Sequence, residues 1–303
     1  MATINKYARA FLFLCMSCAI AVNVAAQTTP VTPRARVAVL DFGETETGRR
    51  VADKLSALLS SNAELSMMDR NESRAAALGS GHAGSLNMTL AEARDLGAAI
   101  GCDFYFTGDA QTLRRSASER PVFYEAYVAL FLVSARTGRL ILWERPSFEA
   151  NTPAEAEELL LAGLSTTVAR LPYMRQIRRA QEDEQTARSL AQSHGAPVIE
   201  DAPEEGDAAA HGLRLPQPFR RLRPSYPETA ARVEAEATVD IQAEIDAKGE
   251  VGRVEIVRWA GFGLDEAALE TVRQLHFRPA MRNGAPVPLR VLLRYNFRKP
   301  PKQ

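Results

Sequence analysis

The sequence predicts a mixed α+β and α/β protein, in which an N-terminal α/β sandwich-like domain is joined by a flexible linker to a small C-terminal ββαβ domain. Strand-like and helix-like apolar patterns alternate over residues 36–172, which is typical of α/β folds. Residues 193–218 are rich in Gly, Pro, Ala and acidic residues, and such a segment cannot offset the entropy of ordering. From Ala235 to Ile245 apolar and polar residues alternate, which predicts a strand with one buried face.

Length and charge narrow the possible partners. The chain has 303 residues, 46% of them hydrophobic, which fits about two domains. It carries 37 basic and 37 acidic residues, so its formal net charge is zero. A balanced chain has no overall field that would attract nucleic acid, and we expect no nucleic-acid partner.

Residues 1–26 have the pattern of an export signal. Lys6 and Arg9 precede an apolar run over residues 10–22, and small residues end at Ala26, where we expect cleavage. The run is shorter than the ~20 residues needed to cross a bilayer, although an uncleaved membrane anchor stays open as an alternative. Of the three cysteines only Cys102 lies outside this segment, so no internal disulfide is expected. We expect Cys102 to be a small buried residue rather than a nucleophile.

The N-terminal domain is predicted over residues 36–172. Its expected strands are 36–42, 65–69, 103–113, 122–134 and 138–148, the last two joined by a hairpin at 136–138. Helices are expected from residue 51, from the capping box Thr89-Leu90-Ala91-Glu92, and from Thr152-Pro153-Ala154-Glu155 to Leu171. Residues 173–218 follow as a charged, solvated helix over 175–192 and then the flexible linker.

The C-terminal domain is predicted over residues 219–303. A turn at 246–249 precedes a second strand, and apolar residues from Leu264 to Leu275 recur at helical spacing. Asn283-Gly284 is a strong signal for a tight turn. In the last strand, Leu289, Val291, Leu293, Tyr295 and Phe297 are expected on the core face, opposite Arg290, Arg294 and Asn296.

No catalytic or metal-binding pattern stands out. Residues 79–84 spell GxGxxG, but a helix-like segment rather than a strand precedes them, so we interpret them as a loop. His82, His194, His211 and His276 lack a second ligand at i+3 or i+4. His276 is expected to cap or pack on the C-terminal helix. We therefore predict no enzyme activity, no cofactor and no metal.

Two resemblances extend this interpretation. Residues 224–298 resemble the TonB C-terminal domain family through Ser225-Tyr226-Pro227 with Ala230, the strand to Ile245, Gly249 with Val251, "GLDEAALETV", "FRPA", the turn 284–287 and the closing strand. Residues 36–171 are similar to TolB N-terminal, CsgG and FlgO-like envelope domains through "VAVLDF", the segment 65–70, "LAEARDLGAAIGCDFYFTG" and "SARTGRLI". The second resemblance implies a non-catalytic envelope domain used in assembly or partner binding.

The first resemblance implies periplasmic recognition of an outer-membrane transporter or another envelope protein. An extended partner segment would add to the sheet edge formed by the last strand, and residues just ahead of the Tyr-Pro pair would also contact it. The candidate partner-binding residues are Arg223, Pro224, Ser225, Tyr226, Pro227, Leu289, Arg290, Val291, Leu292, Leu293, Arg294, Tyr295, Asn296 and Phe297.

Several alternatives remain open at the level of sequence. The last strand could simply complete the core. The chain could be an energy transducer held by an uncleaved anchor, with inner-membrane partners, or an assembly scaffold led by its N-terminal domain, and a homodimer is also possible. If the strand edge is used, Arg290 and Arg294 would favour an acidic or polar partner, and a proline at Val291 or Leu293 is expected to abolish binding.

Overall fold

Two large sheets, one in the N-terminal half and one near the C-terminus, organise the chain. The computed structural model describes residues 34–82, 84–118, 121–193, 199–203, 208 and 212–299. All of these lie in one unit, Arg34–Gln303. The predicted signal segment 1–26, His194 and His211 lie outside the described residues. Within those residues, no helix has the length and apolar character needed to cross a membrane.

The first half of the chain contains seven strands and five helices among the residues described. They are β1 Ala35–Val39, α1 Glu46–Ser60, β2 Leu65–Met67, α2 Arg70–Gly79, β3 Met88–Thr89, α3 Leu90–Ile100, β4 Phe104–Arg115, β5 Phe123–Ser134, β6 Leu140–Glu144, β7 Ser147–Ala150, α4 Pro153–Arg170 and α5 Tyr173–Ser193. The N-terminal sheet has the order β2-β1-β4-β5-β6, with β7 beside β5. Strand β1 is parallel to β2 and β4, and the other pairs are antiparallel.

Side-chain caps begin the helices where the sequence predicts them. Thr89 accepts a hydrogen bond from the backbone N–H of Glu92, whose carboxylate accepts one from the N–H of Thr89. Thr152 caps α4, and Pro153 occupies its first turn. These bonds satisfy N–H groups that have no partner inside the helix.

Helices cover both faces of the N-terminal sheet. One core contains Val37, Phe104 and Phe106 with residues of α1 and α4, and the other contains Tyr105, Phe131 and residues of α3. Cys102 is buried in the second core, and burial raises the pKa of its thiol to about 12. The expectation that Cys102 is a buried, unreactive thiol agrees with this position.

Helix α5 differs from the fully solvated helix that its charge pattern indicates. Ile177 is 1% exposed and packs in the first core. Glu184 accepts a hydrogen bond from the Ser134 hydroxyl and pairs with Arg136. Three further apolar residues of α5 pack against the same core, namely Tyr173, Met174 and Ala180. A short apolar stripe and one anchored carboxylate therefore attach this polar helix to the sheet.

The C-terminal region contains eight short or long strands and two helices among the residues described. They are β8 Leu213–Arg214, β9 Gln217–Pro218, α6 Glu228–Arg232, β10 Ala237–Ile245, β11 Val251–Trp259, α7 Leu264–Arg273, β12 Phe277–Arg278, β13 Ala280–Arg282, β14 Ala285–Val287 and β15 Leu289–Phe297. The C-terminal sheet has the order β15-β10-β11-β3. Helix α7 packs on it through Ala268 and Val272. Asn283 and Gly284, with φ of 52° and 86°, form the predicted tight turn between β13 and β14.

The described parts of the predicted flexible linker are packed against the C-terminal sheet, which corrects that prediction for these residues. Strand β8 pairs with β13, and β9 pairs with β12. Ala208 and Leu213 are buried with Ala280 and Leu289. Main-chain pairing and a few small apolar contacts order these residues, and neither is visible in the local composition.

The two sheets are joined by β3, which belongs to the N-terminal half but pairs with β11 at Trp259 and Arg258. Trp259 is 2% exposed, its indole N–H donates to the carbonyl of Gly138 at 2.9 Å, and its ring lies 5.9 Å edge-on from Phe131. The Asn87 amide donates to the carbonyls of Thr238 and Trp259. The C-terminal sheet is therefore docked on the N-terminal half through buried contacts.

Candidate protein-binding edge

Strand β15 is the terminal strand of the C-terminal sheet. It pairs with β10 without a register shift, from Leu289 opposite Ile245 to Phe297 opposite Ala237. The N–H of Arg290 donates to the Glu200 carbonyl at 2.9 Å, and its own carbonyl accepts from the N–H of Ala202 at 2.7 Å. The main chain of Arg290 therefore faces away from β10.

The direction of main-chain groups alternates along a strand. The N–H and C=O groups of Leu292, Arg294 and Asn296 consequently face the same outer side as those of Arg290. The amides of Val291 and Leu293 face β10, so a proline at either position would break the sheet itself and could not report on partner binding.

Side chains of β15 divide between two faces as predicted. Leu289 and Phe297 are buried, whereas Leu292 is 55% exposed. Val291, Leu293 and Tyr295 pack partly against the core beneath. The candidate residues on the core face of β15 therefore anchor the strand to the core, and the side chains on the other face can be reached by a partner.

The two arginines of β15 are ion-paired. Arg294 makes a two-pronged contact with Asp240, at 2.7 and 3.0 Å. Arg290 lies 3.2 Å from Glu244 and 3.3 Å from Asp201. Because Asp240 is only 4% exposed, Arg294 compensates a nearly buried carboxylate. The arginines are thus less available to an acidic partner than the sequence suggests.

The Tyr226 segment meets the C-terminal end of β15. The Tyr226 hydroxyl donates to the Ala235 carbonyl at 2.7 Å, and its ring centroid lies 6.5 Å from that of Phe297. Burial raises the pKa of Tyr226. Arg223 and Ser225 are exposed, and Pro224 and Pro227 are half-buried. Tyr226 fixes this segment beside the edge, where Arg223 and Ser225 remain accessible.

Residues 200–202, which no sequence pattern indicates as part of this edge, lie at the opposite end of β15. Glu200 and Asp201 pair with Arg282 and Arg290, at 2.5 and 3.3 Å. The available sequence signal is an acidic pair in the linker, together with Arg282 in β13 and Arg290 in β15. Such a contact over about 80 residues has no local periodicity to indicate it.

A strained loop before α7 connects the C-terminal sheet to the N-terminal half. Gly261, Phe262 and Gly263 have φ of 72°, 55° and 80°, a conformation that is unfavourable for phenylalanine. The Phe262 ring packs edge-on against Phe131 at 5.4 Å. Asp265 accepts the N–H groups of Ala260 and Gly261, and burial raises its pKa to about 7.

The raised pKa of Asp265 has a measurable consequence for stability. Between about pH 4 and 7 the folded protein retains a proton that the unfolded chain has released, so stability decreases as the pH rises. We expect this group to lower the free energy of unfolding by about 1 kcal/mol per pH unit near pH 5–6.5. Urea titrations over this range should show that Asp265→Asn loses this slope, while Glu270→Gln on the same helix keeps it. Parallel slopes for Asp265→Asn and the parent protein would contradict the assignment.

Within the described residues, no group of three His, Cys, Asp or Glu side chains is placed to hold a metal ion. His276 is predicted from the sequence to cap or pack on the C-terminal helix; the cap of that helix is instead Gln274, and the exposed His276 side chain places its Nδ1 3.1 Å from the Glu250 carboxylate. Helix α2 ends at Gly79, so the GxGxxG stretch begins at a helix end rather than after a strand. This order of elements is opposite to that of a dinucleotide site.

Residues 223–298 match the family model described as Gram-negative bacterial TonB protein C-terminal. Similar solved structures include the TonB C-terminal domain of Pseudomonas aeruginosa, with 18% identity over 29% of this chain and 90% of that chain and a TM-score of 0.25. No curated protein sequence matches significantly.

Two further structures are similar to the chain. The LpoB C-terminal domain from Salmonella enterica shows 12% identity over 39% of this chain and 85% of that chain, with a TM-score of 0.27. Lipoprotein GNA1162 from Neisseria meningitidis shows 13% identity over 45% and 99%, with a TM-score of 0.32. At such scores no functional property is transferred from them.

The α+β fold class and the TonB-like C-terminal domain are confirmed. The similarity of residues 36–171 to TolB, CsgG and FlgO-like domains stays a prediction.

Proposed function

We propose that the protein is an exported, non-enzymatic envelope protein whose TonB-like domain binds an outer-membrane transporter by strand addition to β15. The observation that carries this proposal is the outward main chain of Leu292, Arg294 and Asn296. Within the described part of the chain, strand β15 has backbone partners on that side only at Arg290. An edge of this kind offers donors and acceptors to an extended peptide.

The periplasmic location rests on two independent features. The N-terminal 26 residues have the charge, apolar run and small residues of an export signal. Residues 223–298 match a family of Gram-negative TonB proteins. A transport-related role follows from that match as a proposal for this chain.

Backbone hydrogen bonds would supply most of the affinity, and accessible side chains would select the partner. Leu292 is 55% exposed and offers an apolar contact beside the outward amides. Tyr226 holds Arg223 and Ser225 near the Phe297 end of the strand. Fewer side chains would contact the partner than the sequence suggests, because Val291, Leu293 and Tyr295 face the core.

A peptide titration followed by NMR tests this function. The probes are synthetic ten-residue peptides from the periplasm-facing segments of the host's outer-membrane transporters, added to the ¹⁵N-labelled mature chain. We expect the largest amide shifts at Leu292, Arg294 and Asn296, with smaller ones at Val291 and Leu293. A sequence-scrambled peptide serves as control. Saturable binding whose shifts lie away from β15, or no binding at millimolar peptide, would refute the proposal.

A further inference from the structure

The chain already pairs one position of its own binding edge. Asp201 forms a parallel bridge with Arg290. The Arg290 N–H donates to Glu200, and the Arg290 carbonyl accepts from Ala202. These are the same outward groups that an added strand would use at the start of β15.

Charged side chains align this internal strand. Arg282 pairs with Glu200 at 2.5 Å, Arg290 pairs with Asp201 at 3.3 Å, and the Gln242 amide donates to Asp201 at 3.3 Å. The two acidic side chains remain 60% and 69% exposed. Exposed ion pairs contribute little and are screened by salt, so the segment is held in register by contacts that are easily exchanged.

The paired position is continuous with the rest of the edge. Leu292, Arg294 and Asn296 present their main chain on the same side as Arg290 and follow it directly along β15. A partner strand that used the full length of β15 would therefore need the N–H and carbonyl that residues 200–202 now engage. Two strands cannot form hydrogen bonds with the same outward groups of Arg290.

We propose that residues 199–203 are an internal competitor for the partner strand, and that binding along the whole of β15 requires their release from Arg290. This inference rests on the proposed strand-addition function. The internal strand blocks the edge in part of the molecules. The apparent association constant of the partner is then the intrinsic constant multiplied by the fraction of molecules in which the edge is open. A partner with carboxylates facing Arg282 and Arg290 would replace the ion pairs that are lost on release.

Two variants of the full mature chain release the segment in different ways. Glu200→Gln with Asp201→Asn removes both ion pairs, and Ala202→Pro removes the N–H that donates to Arg290 without changing charge. Amide hydrogen exchange at Arg290 should accelerate in both. Glu46→Gln with Glu158→Gln is the matched control, because it removes two exposed carboxylates paired with Arg49 and Arg50, far from the edge in sequence.

The transporter peptides described above are then titrated into each variant. We expect both release variants to bind them about threefold to tenfold more tightly than the parent chain and the control. Faster exchange at Arg290 with unchanged peptide affinity would overturn the competitor while leaving strand addition intact. Exchange unchanged in both variants would overturn it as well, since the segment would then not cover Arg290. Peptides that bind none of the proteins would refute the proposed function and this inference together.

Discussion

Replacing Trp259 with alanine is expected to lower the free energy of unfolding by about 3–5 kcal/mol, because the substitution leaves a large cavity between the two sheets. The indole is 2% exposed and packs edge-on against Phe131. Its N–H donates to the Gly138 carbonyl, so the substitution also leaves a buried acceptor without its donor. Trp259 further ends the strand that pairs with β3.

Chemical denaturation followed by circular dichroism measures this effect without relying on tryptophan fluorescence. Trp259→Phe is the informative companion, since it keeps an aromatic ring but loses the hydrogen bond, and we expect it to cost about 1–2 kcal/mol. If the two sheets depend on this contact, hydrogen exchange in β3 and β11 should accelerate in Trp259→Ala. A variant within about 1 kcal/mol of the parent protein would show that the docked interface is not stabilised by Trp259.

The contrast between Trp259 and β15 shows which parts of the fold can be predicted from the sequence. The faces of β15, the cap at Thr89 and the turn at Asn283-Gly284 follow from residues a few positions apart. Period two, a capping box and a turn dipeptide are local rules. The local pattern is sufficient in each of these cases.

Contacts between distant segments are different. Strand β3 has two residues, which are too few to show any periodicity. Asn87, next to it, lies in a sequence that looks like an ordinary polar loop. The pairing of Asp201 with Arg290 joins a segment rich in acidic residues to a strand 89 positions later. Sequence alone also leaves open which amides of β15 face outward, because that depends on hydrogen-bond register rather than on side-chain alternation. The bond from Arg290 to Glu200 decides it.

Because of this register, proline substitutions at neighbouring positions of β15 are expected to differ strongly in their effect on stability. We expect Leu292→Pro to fold, because its N–H faces away from β10 and proline is tolerated on the outer side of an edge strand. Val291→Pro should instead destabilise the protein by about 3 kcal/mol or more, because it removes a hydrogen bond to β10 inside the sheet. Thermal unfolding followed by circular dichroism distinguishes these outcomes.

Binding measurements test whether the partner uses the main chain of Leu292. Leu292→Pro deletes one outward donor and places a ring where the partner strand would approach, so its affinity for the transporter peptides should fall about tenfold or more. Leu292→Ala is the matched control, because it removes the exposed side chain but keeps the N–H, and its affinity should fall much less. Isothermal titration calorimetry on both folded variants provides the comparison. Equal affinities for the proline and alanine variants would mean that the partner does not use the main chain at this position, and strand addition at β15 would then be wrong.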